Sequence, residues 1–594
     1  MRRMLAAGVV LAVVAAGCSG DGGAGTTEAP TTAPATTAAA PTTVTTAAAP
    51  TTVTTATAPT TVTTAGDGAP ATTVAPAPFV GLPLPQDRGT FFSASGACAV
   101  CHQQMTNGSI DVSIDAAWRS TMMANAARDP YWAASVRAEV GHTPGLAGII
   151  EDKCSTCHMP MARTTAAFEG AAGLVLDAGF ADPGHPLAPL AADGVSCTLC
   201  HQIDPAGLGE PPAFSGGFVV DDDPSPGNRA LFGPYDTPPG QANVMASTSG
   251  FVPVRGDHIQ SSDLCGTCHT LFTPTVDASG EVVGEFAEQT PYLEWLASGF
   301  AETASCQDCH LPEVDGVVQL SVTGGPGRAP FSQHHFVGGN AYMVGVFRHL
   351  GEDFGVTAGS EHFEATLTRI EEQLTERTAG LEIGEASVAG TTLEASVTVA
   401  NLAGHKFPTG FPSRRAWLHV TVRDAGGAIV FESGRPDPSG AVAGNDNDLD
   451  PSAFEPHYEV VEDPDQVQIY ESIVGDTGGG VTTVLLRGAG YLKDNRLLPA
   501  GFDPAAASPD VLPAGSAAGD PDFQAGSDLV IYRVDVSDAV GPFTIEAELL
   551  FQAIGRRWAD NLLQGGGAEI DRLGDVLETV PLTPVRVASA TATP

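Results

Sequence analysis

Ten of the eleven cysteines in this 594-residue chain fall into five copies of one pattern, Cys-x-x-Cys-His. They read Cys98-Ala-Val-Cys101-His102, Cys154-Ser-Thr-Cys157-His158, Cys197-Thr-Leu-Cys200-His201, Cys265-Gly-Thr-Cys268-His269 and Cys306-Gln-Asp-Cys309-His310. Composition alone gives roughly 0.005 such motifs in a chain of this length. The spacing is that of c-type haem attachment, in which two thiols form thioethers to the porphyrin and the adjacent histidine ligates the iron from below. A structural zinc site needs no histidine fixed after each second cysteine. A disulfide framework suits short secreted domains, and a thioredoxin-like motif would occur once, near a βαβ unit. The pattern therefore predicts five haem c groups, with His102, His158, His201, His269 and His310 as proximal ligands.

The eleventh cysteine has a different context. Residues 1–18 read as a bacterial export signal: Arg2 and Arg3, an apolar run from Leu5 to Ala16, and the small-residue stretch Ala15-Ala16-Gly17-Cys18. That run is too short to span a bilayer. The site resembles a bacterial lipobox, which makes Cys18 the lipidated first mature residue and predicts a lipid-anchored protein on the outer face of the cytoplasmic membrane, in the periplasm or at the cell surface. Ordinary signal cleavage near Gly17 is the alternative. Residues 19–78 are Thr, Ala and Pro with almost no charge, and Ala-Pro-Thr-Thr-Val-Thr-Thr recurs with its proline at Pro41, Pro50 and Pro59. Such a segment buries too little apolar surface to offset its ordering entropy, and it reads as a disordered stalk.

The formal net charge is −42, which argues against nucleic acid as a partner, because phosphate contacts require basic patches. An acidic surface is suited to steering redox partner proteins, and it also serves plain solubility. The five motifs crowd into residues 98–310. That leaves little chain for an ordinary side-chain core, so the porphyrins are expected to supply buried apolar area among short helices and long loops. Gly and Pro between motifs, as over 221–240, suggest irregular connections; one helix is expected from about Asp115 to Val140, interrupted at Pro130. Each iron has a second axial position. A strong protein ligand there makes an electron carrier, and an open position makes a site for small molecules.

Several stretches in order along the chain resemble a family of multihaem c-type cytochromes with a C-terminal β domain, related to the tetrahaem cytochromes of nitrogen oxidation. They are Trp118-Arg-Ser-Thr-Met-Met-Ala-Asn-Ala-Ala-Arg-Asp-Pro130, Asp193-Gly-Val-Ser-Cys197, Asp257-His-Ile259, Gln333-His-His-Phe-Val-Gly-Gly-Asn340, Gly404-His-Lys-Phe-Pro-Thr-Gly410 and Leu492-Lys-Asp-Asn-Arg-Leu-Leu-Pro499. The resemblance implies His258, His335 and His405 as distal iron ligands, with His334 a close competitor of His335; His185 is a further candidate. Similar sequences often carry histidine where this one has Met123. That departure leaves two readings, a His/Met haem of raised potential or core packing by Met122 and Met123. His142, His349, His362, His419 and His457 read as surface or internally satisfied histidines.

After a helix expected from Ser360 to Arg377, with Phe363, Leu367, Ile370 and Leu374 on one face, the periodicity changes to two. Leu393-Ala395-Val397-Val399, Leu418-Val420-Val422 and Phe543-Ile545-Ala547-Leu549-Phe551 alternate with polar residues, as half-buried strands do. The fold expected is α+β: a haem-packed, mostly helical and irregular pentahaem cytochrome domain (79–378) followed by an antiparallel β-sandwich (379–594). The acidic run Asn445-Asp446-Asn447-Asp448-Leu449-Asp450 offers oxygen donors acceptable to Ca²⁺. Function divides between an extracytoplasmic electron carrier, serving redox partner proteins or an extracellular acceptor, and an oxidoreductase acting on a small nitrogen or sulfur compound at one open haem. No chain feature marks a separate catalytic triad or phosphate loop.

Overall fold

Residues 77–225, 229–523 and 525–594 are described by the computed structural model, and they belong to one compact unit. The expected export signal, Cys18 and the expected stalk up to residue 76 lie outside the described residues. The described part mixes helices with several small sheets, and among its helices none is long and apolar enough to cross a membrane.

Among the helices that frame the motif-bearing half are α1 (Pro130–His142), α2 (Ala147–His158), α3 (Pro239–Ser249), α4 (Pro291–Leu296), α5 (Ala341–Leu350) and α6 (Ser360–Arg377). The helix expected over 115–140 is a short helix Ile114–Trp118, a 3₁₀ turn Ala126–Arg128, and then α1. Pro130 begins α1 instead of interrupting a longer helix. Its missing N–H costs nothing in the first turn, and Asp129 caps that turn by accepting from the amides of Tyr131 and Trp132. The stretch 221–240 is also more regular than its Gly and Pro content suggests, because Arg229–Gly233 pairs in parallel with Phe251–Arg255. Helix α6 buries Phe363, Ile370 and Leu374 on its inner face.

At Ala379 the chain turns to strands: β1 (Ala379–Ala389), β2 (Thr392–Asn401), β3 (Arg415–Arg423), β4 (Ile429–Ser433), β5 (Val460–Val461), β6 (Ile469–Gly475), β7 (Gly490–Asp494), β8 (Ser527–Asp535), β9 (Thr544–Gln552) and β10 (Val585–Ala592). One sheet has the order β1-β2-β8-β5; the other runs β7-β6-β3-β9-β10, with β4 also beside β3. All pairs are antiparallel except β5 with β8. The register sets Val397 opposite Val530 in the first sheet and Val420 opposite Ala547 in the second. These inward residues share one hydrophobic cluster with Met343, Val346 and Phe347 of α5 and with α6, so the period-2 pattern ends in a core common to both sheets.

The two halves are tied together at several points. Helices α7 (Arg556–Leu563) and α8 (Ala568–Thr579) return to the motif half, and α8 packs on α1. There Arg137 joins Glu569 at 2.7 Å. The carboxylate of Glu139 accepts from the Leu485 and Leu486 amides. The loop between β2 and β3 carries His405 into the motif half, where the Lys406 amide donates to Glu294 of α4.

Candidate haem site

A helical turn places residues i, i+3 and i+4 on one face, so Cys-x-x-Cys-His presents two thiols and an imidazole to the same side. The motifs occupy such turns: Ser95–Ala99 carries Cys98, Cys154 to His158 end α2, Cys197–Cys200 is a short helix, Ser262–Gly266 carries Cys265, and Cys306–His310 is the last. All five open onto a single cavity of about 2070 Å³, whose wall includes all ten motif cysteines and all five motif histidines. An ordinary small-molecule pocket occupies roughly 300–1,000 Å³. The ten thiols are free of disulfides.

The imidazoles are prepared as ligands. Nδ1 of His102 lies 2.7 Å from the Leu320 carbonyl, that of His158 3.1 Å from Ala126, that of His201 2.5 Å from Phe232, and that of His310 2.5 Å from Val337. A carbonyl only accepts, so each Nδ1 carries the proton and each Nε2 keeps its lone pair for a metal. Burial pushes the motif histidines toward the neutral form, with His158 and His269 down to about 4, and His102, His201 and His310 lowered for the same reason.

Two of these rings face a second imidazole. His310 and His405 stand with centroids 6.2 Å apart and planes 15° from parallel; His201 and His334 stand 6.4 Å apart at 23°. Direct ring stacking would be much closer. Metal–nitrogen bonds of about 2 Å on each side, plus ~1.1 Å from nitrogen to ring centre, give about 6.2 Å across one metal ion. The spacing fits an iron between the rings.

The motifs also touch one another. Thr198 beside Cys197 exchanges hydrogen bonds with the Ser93 backbone, and the thiols of Cys98 and Cys197 are hydrogen-bonding neighbours. Ser262 accepts from the Cys306 amide, and Cys265 adjoins Cys306. Lys153 and the amide of Gly216 join the second and fourth motifs through Ser215 and Thr267, where Cys157 adjoins Cys268. First packs with third, second with fourth, and fourth with fifth.

The remaining candidates are dispersed. Met123 is on the cavity wall, whereas Met122, also on the wall, packs against the core shared with the sheets. His334 is on the wall and neutral, pushed down to about 3 by burial; His335 points elsewhere, near Arg369. His258 is off the wall, its Nε2 donating to the Ile203 carbonyl and its ring edge-on to Phe232. His185 accepts the Leu187 amide at Nδ1 and leans on Phe180. Sequence reasoning passed over α3, a helix with no buried residue whose Val244 and Met245 line the cavity.

Four side-chain oxygens of the acidic run accept from protein donors. Asp448 accepts from Arg415 and from the Val442 amide, Asn445 from the Asn447 amide, and Asp450 from Ser452. A second polar cluster, His457 with Asp520 and Asp528, is buried. Nδ1 of His457 accepts from Gln468 and Asn495, whose amide orientations are fixed because their oxygens accept the Tyr458 and Glu471 amides. Nε2 therefore bears the proton and donates to Asp520 at 2.8 Å, leaving no lone pair for a metal there.

No family model and no curated protein matches the chain. Among solved structures, a penta-heme cytochrome c552 from Thermochromatium tepidum superposes with a TM-score of 0.41 at 16% identity, covering 74% of this chain and 83% of that one.

Proposed function

We propose that the chain is an electron-transfer cytochrome carrying five covalently attached haem c groups. The observation that carries this reading is the convergence of ten thiols and five neutral imidazoles on one cavity, four of those imidazoles with Nδ1 tied to a carbonyl. His405 and His334 are the residues that would hold iron together with His310 and His201 respectively. Bis-histidine ligation favours electron transfer over substrate binding. Haems held at the touching motifs would exchange electrons, the first with the third and the fourth with both the second and the fifth. The two sheets form a β-sandwich that supplies His405 and walls the cavity. Export, lipid attachment at Cys18 and the stalk would hold this conductor outside the cytoplasm, where redox proteins or an extracellular acceptor exchange electrons with it.

The oxidoreductase reading keeps one specific support. Among the described residues, no second imidazole is paired opposite His102, His158 or His269, although Met123 and other thioethers are on the cavity wall. A small nitrogen or sulfur compound would bind at such a position. Intact-mass analysis and EPR of exported holoprotein test both readings. Five porphyrin adducts with every haem low-spin support the carrier. A high-spin haem that binds nitrite or CO supports the enzyme, and an absence of adducts overturns both.

A further inference from the structure

We infer that Glu294 is a positioning residue for His405, and that a buried ionic cluster built on it sets the orientation and potential of the His310 iron. The inference rests on the His310–His405 pairing proposed above. His405 Nδ1 lies 2.9 Å from the Lys406 carbonyl, which leaves the lone pair on Nε2, and the ring stands with its centroid 6.2 Å from that of His310. The two peptide units that follow His405 are held at all four polar groups. The His405 carbonyl accepts from Asn401 Nδ2 at 2.8 Å, and the Lys406 amide donates to Glu294 Oε2 at 3.1 Å. The Lys406 carbonyl accepts from the imidazole itself, and the Phe407 amide donates to the Leu497 carbonyl at 2.9 Å. The ring cannot turn without breaking one of these bonds.

Glu294 is the only charged group in that frame. Its Oε1 accepts from Arg496 at 3.0 Å, and Thr409 donates to Oε2. Arg496 grips both oxygens of Asp494, and Lys406 Nζ reaches Asp494 at 2.6 Å. The four charged side chains are between 0% and 4% exposed. Burying two cations and two anions costs more in desolvation than apolar packing would, so such clusters are weak stabilisers whose value lies in specifying geometry. Here the geometry specified is that of the loop carrying a ligand. Glu294 also belongs to α4, whose Tyr292 amide donates to the carbonyl of His269, so the same short helix braces the neighbouring motif.

The test uses full-length holoprotein and reads spectroelectrochemical titrations and EPR. Glu294→Gln removes one negative charge from a neutral quartet and weakens the hold on the Lys406 amide. One of the five redox transitions is expected to move to higher potential with a change in one low-spin EPR component, the other four staying in place. Thr409→Val deletes one hydrogen bond to the same oxygen without unpairing a charge, and moves the same transition less; it decides the matter if Glu294→Gln does not accumulate. Titrations of folded variants that overlay the wild type overturn the inference, since a purely structural role would change thermal stability without singling out one haem. His405→Ala separates the premise: if every haem then stays low-spin, the His310–His405 pairing falls, and if one turns high-spin while Glu294→Gln is silent, only the inference does.

Discussion

Glu139 makes a pH experiment that probes how the two halves depend on each other. The residue sits on α1 in the motif half, 5% exposed, and its carboxylate accepts from the Leu485 and Leu486 amides of the other half. Burial raises its pKa from 4.5 to about 7, against the pull of those two amides and with help from nearby Glu288. A carboxyl whose folded pKa exceeds its unfolded value binds its proton more tightly when folded. Its stabilisation is complete below the unfolded value near 4.5 and is lost as pH rises through about 7. A shift of this size corresponds to about 3 kcal/mol. Asp129 and Asp193, each raised to about 6 by burial, act with the same sign, so the measurement is a difference. Denaturant unfolding of wild type and Glu139→Gln is followed at pH 5 and pH 8.5. The wild type should lose more stability between those values than the variant, by about 3 kcal/mol. Parallel pH profiles would show that Glu139 is solvated in the folded protein and that the α1 contact to Leu485 is not buried as described.

Two further outcomes follow from the site. His334→Ala should convert one haem from low-spin to high-spin by EPR and leave the adduct count at five, while His335→Ala should leave the spectrum unchanged; the reverse result would exchange the two residues. Adding Ca²⁺ or EDTA should leave the Tm of holoprotein unchanged, because Arg415 and backbone amides already occupy the Asp448 and Asn445 oxygens. A rise in Tm with Ca²⁺ would contradict that assignment.

What could be read from the chain tracks how local the determining physics is. The helix over Ser360–Arg377 and the strands containing Leu393, Leu418 and Ile545 follow from periodicities held within each segment. The one-sided display of Cys-x-x-Cys-His is likewise the geometry of a single turn. Pro130 was legible as a boundary but not as the start of α1, which depends on Asp129 capping. Second ligands are a long-range matter. His334 and His335 are adjacent, and consecutive side chains in extended backbone point opposite ways; which one meets His201 depends on how a loop far along the chain is docked. The turn at Phe336, with φ of 41°, follows immediately and is invisible to composition. The cluster of Glu294, Lys406, Asp494 and Arg496 is equally hidden, since four charged residues from three segments each read as surface groups on their own.

The relation between the halves follows from where the polar groups of the His405 loop go. A loop aimed at a cavity normally exposes its backbone to water, and here the Lys406 carbonyl accepts from the imidazole while the neighbouring polar groups are satisfied by Asn401 and Leu497 from the sheet half and Glu294 from the motif half. The motif half has fewer apolar anchors of its own: its largest separate cluster is built around Phe92, Met161 and Leu199, while the cluster filling both sheets extends into α5 and α6. On the proposed reading the sheets are therefore a frame that holds one end of the haem array at a fixed distance and angle. That role needs rigidity instead of a binding surface, which accounts for a buried ionic lattice at a position where apolar packing would have been more stabilising but less directional.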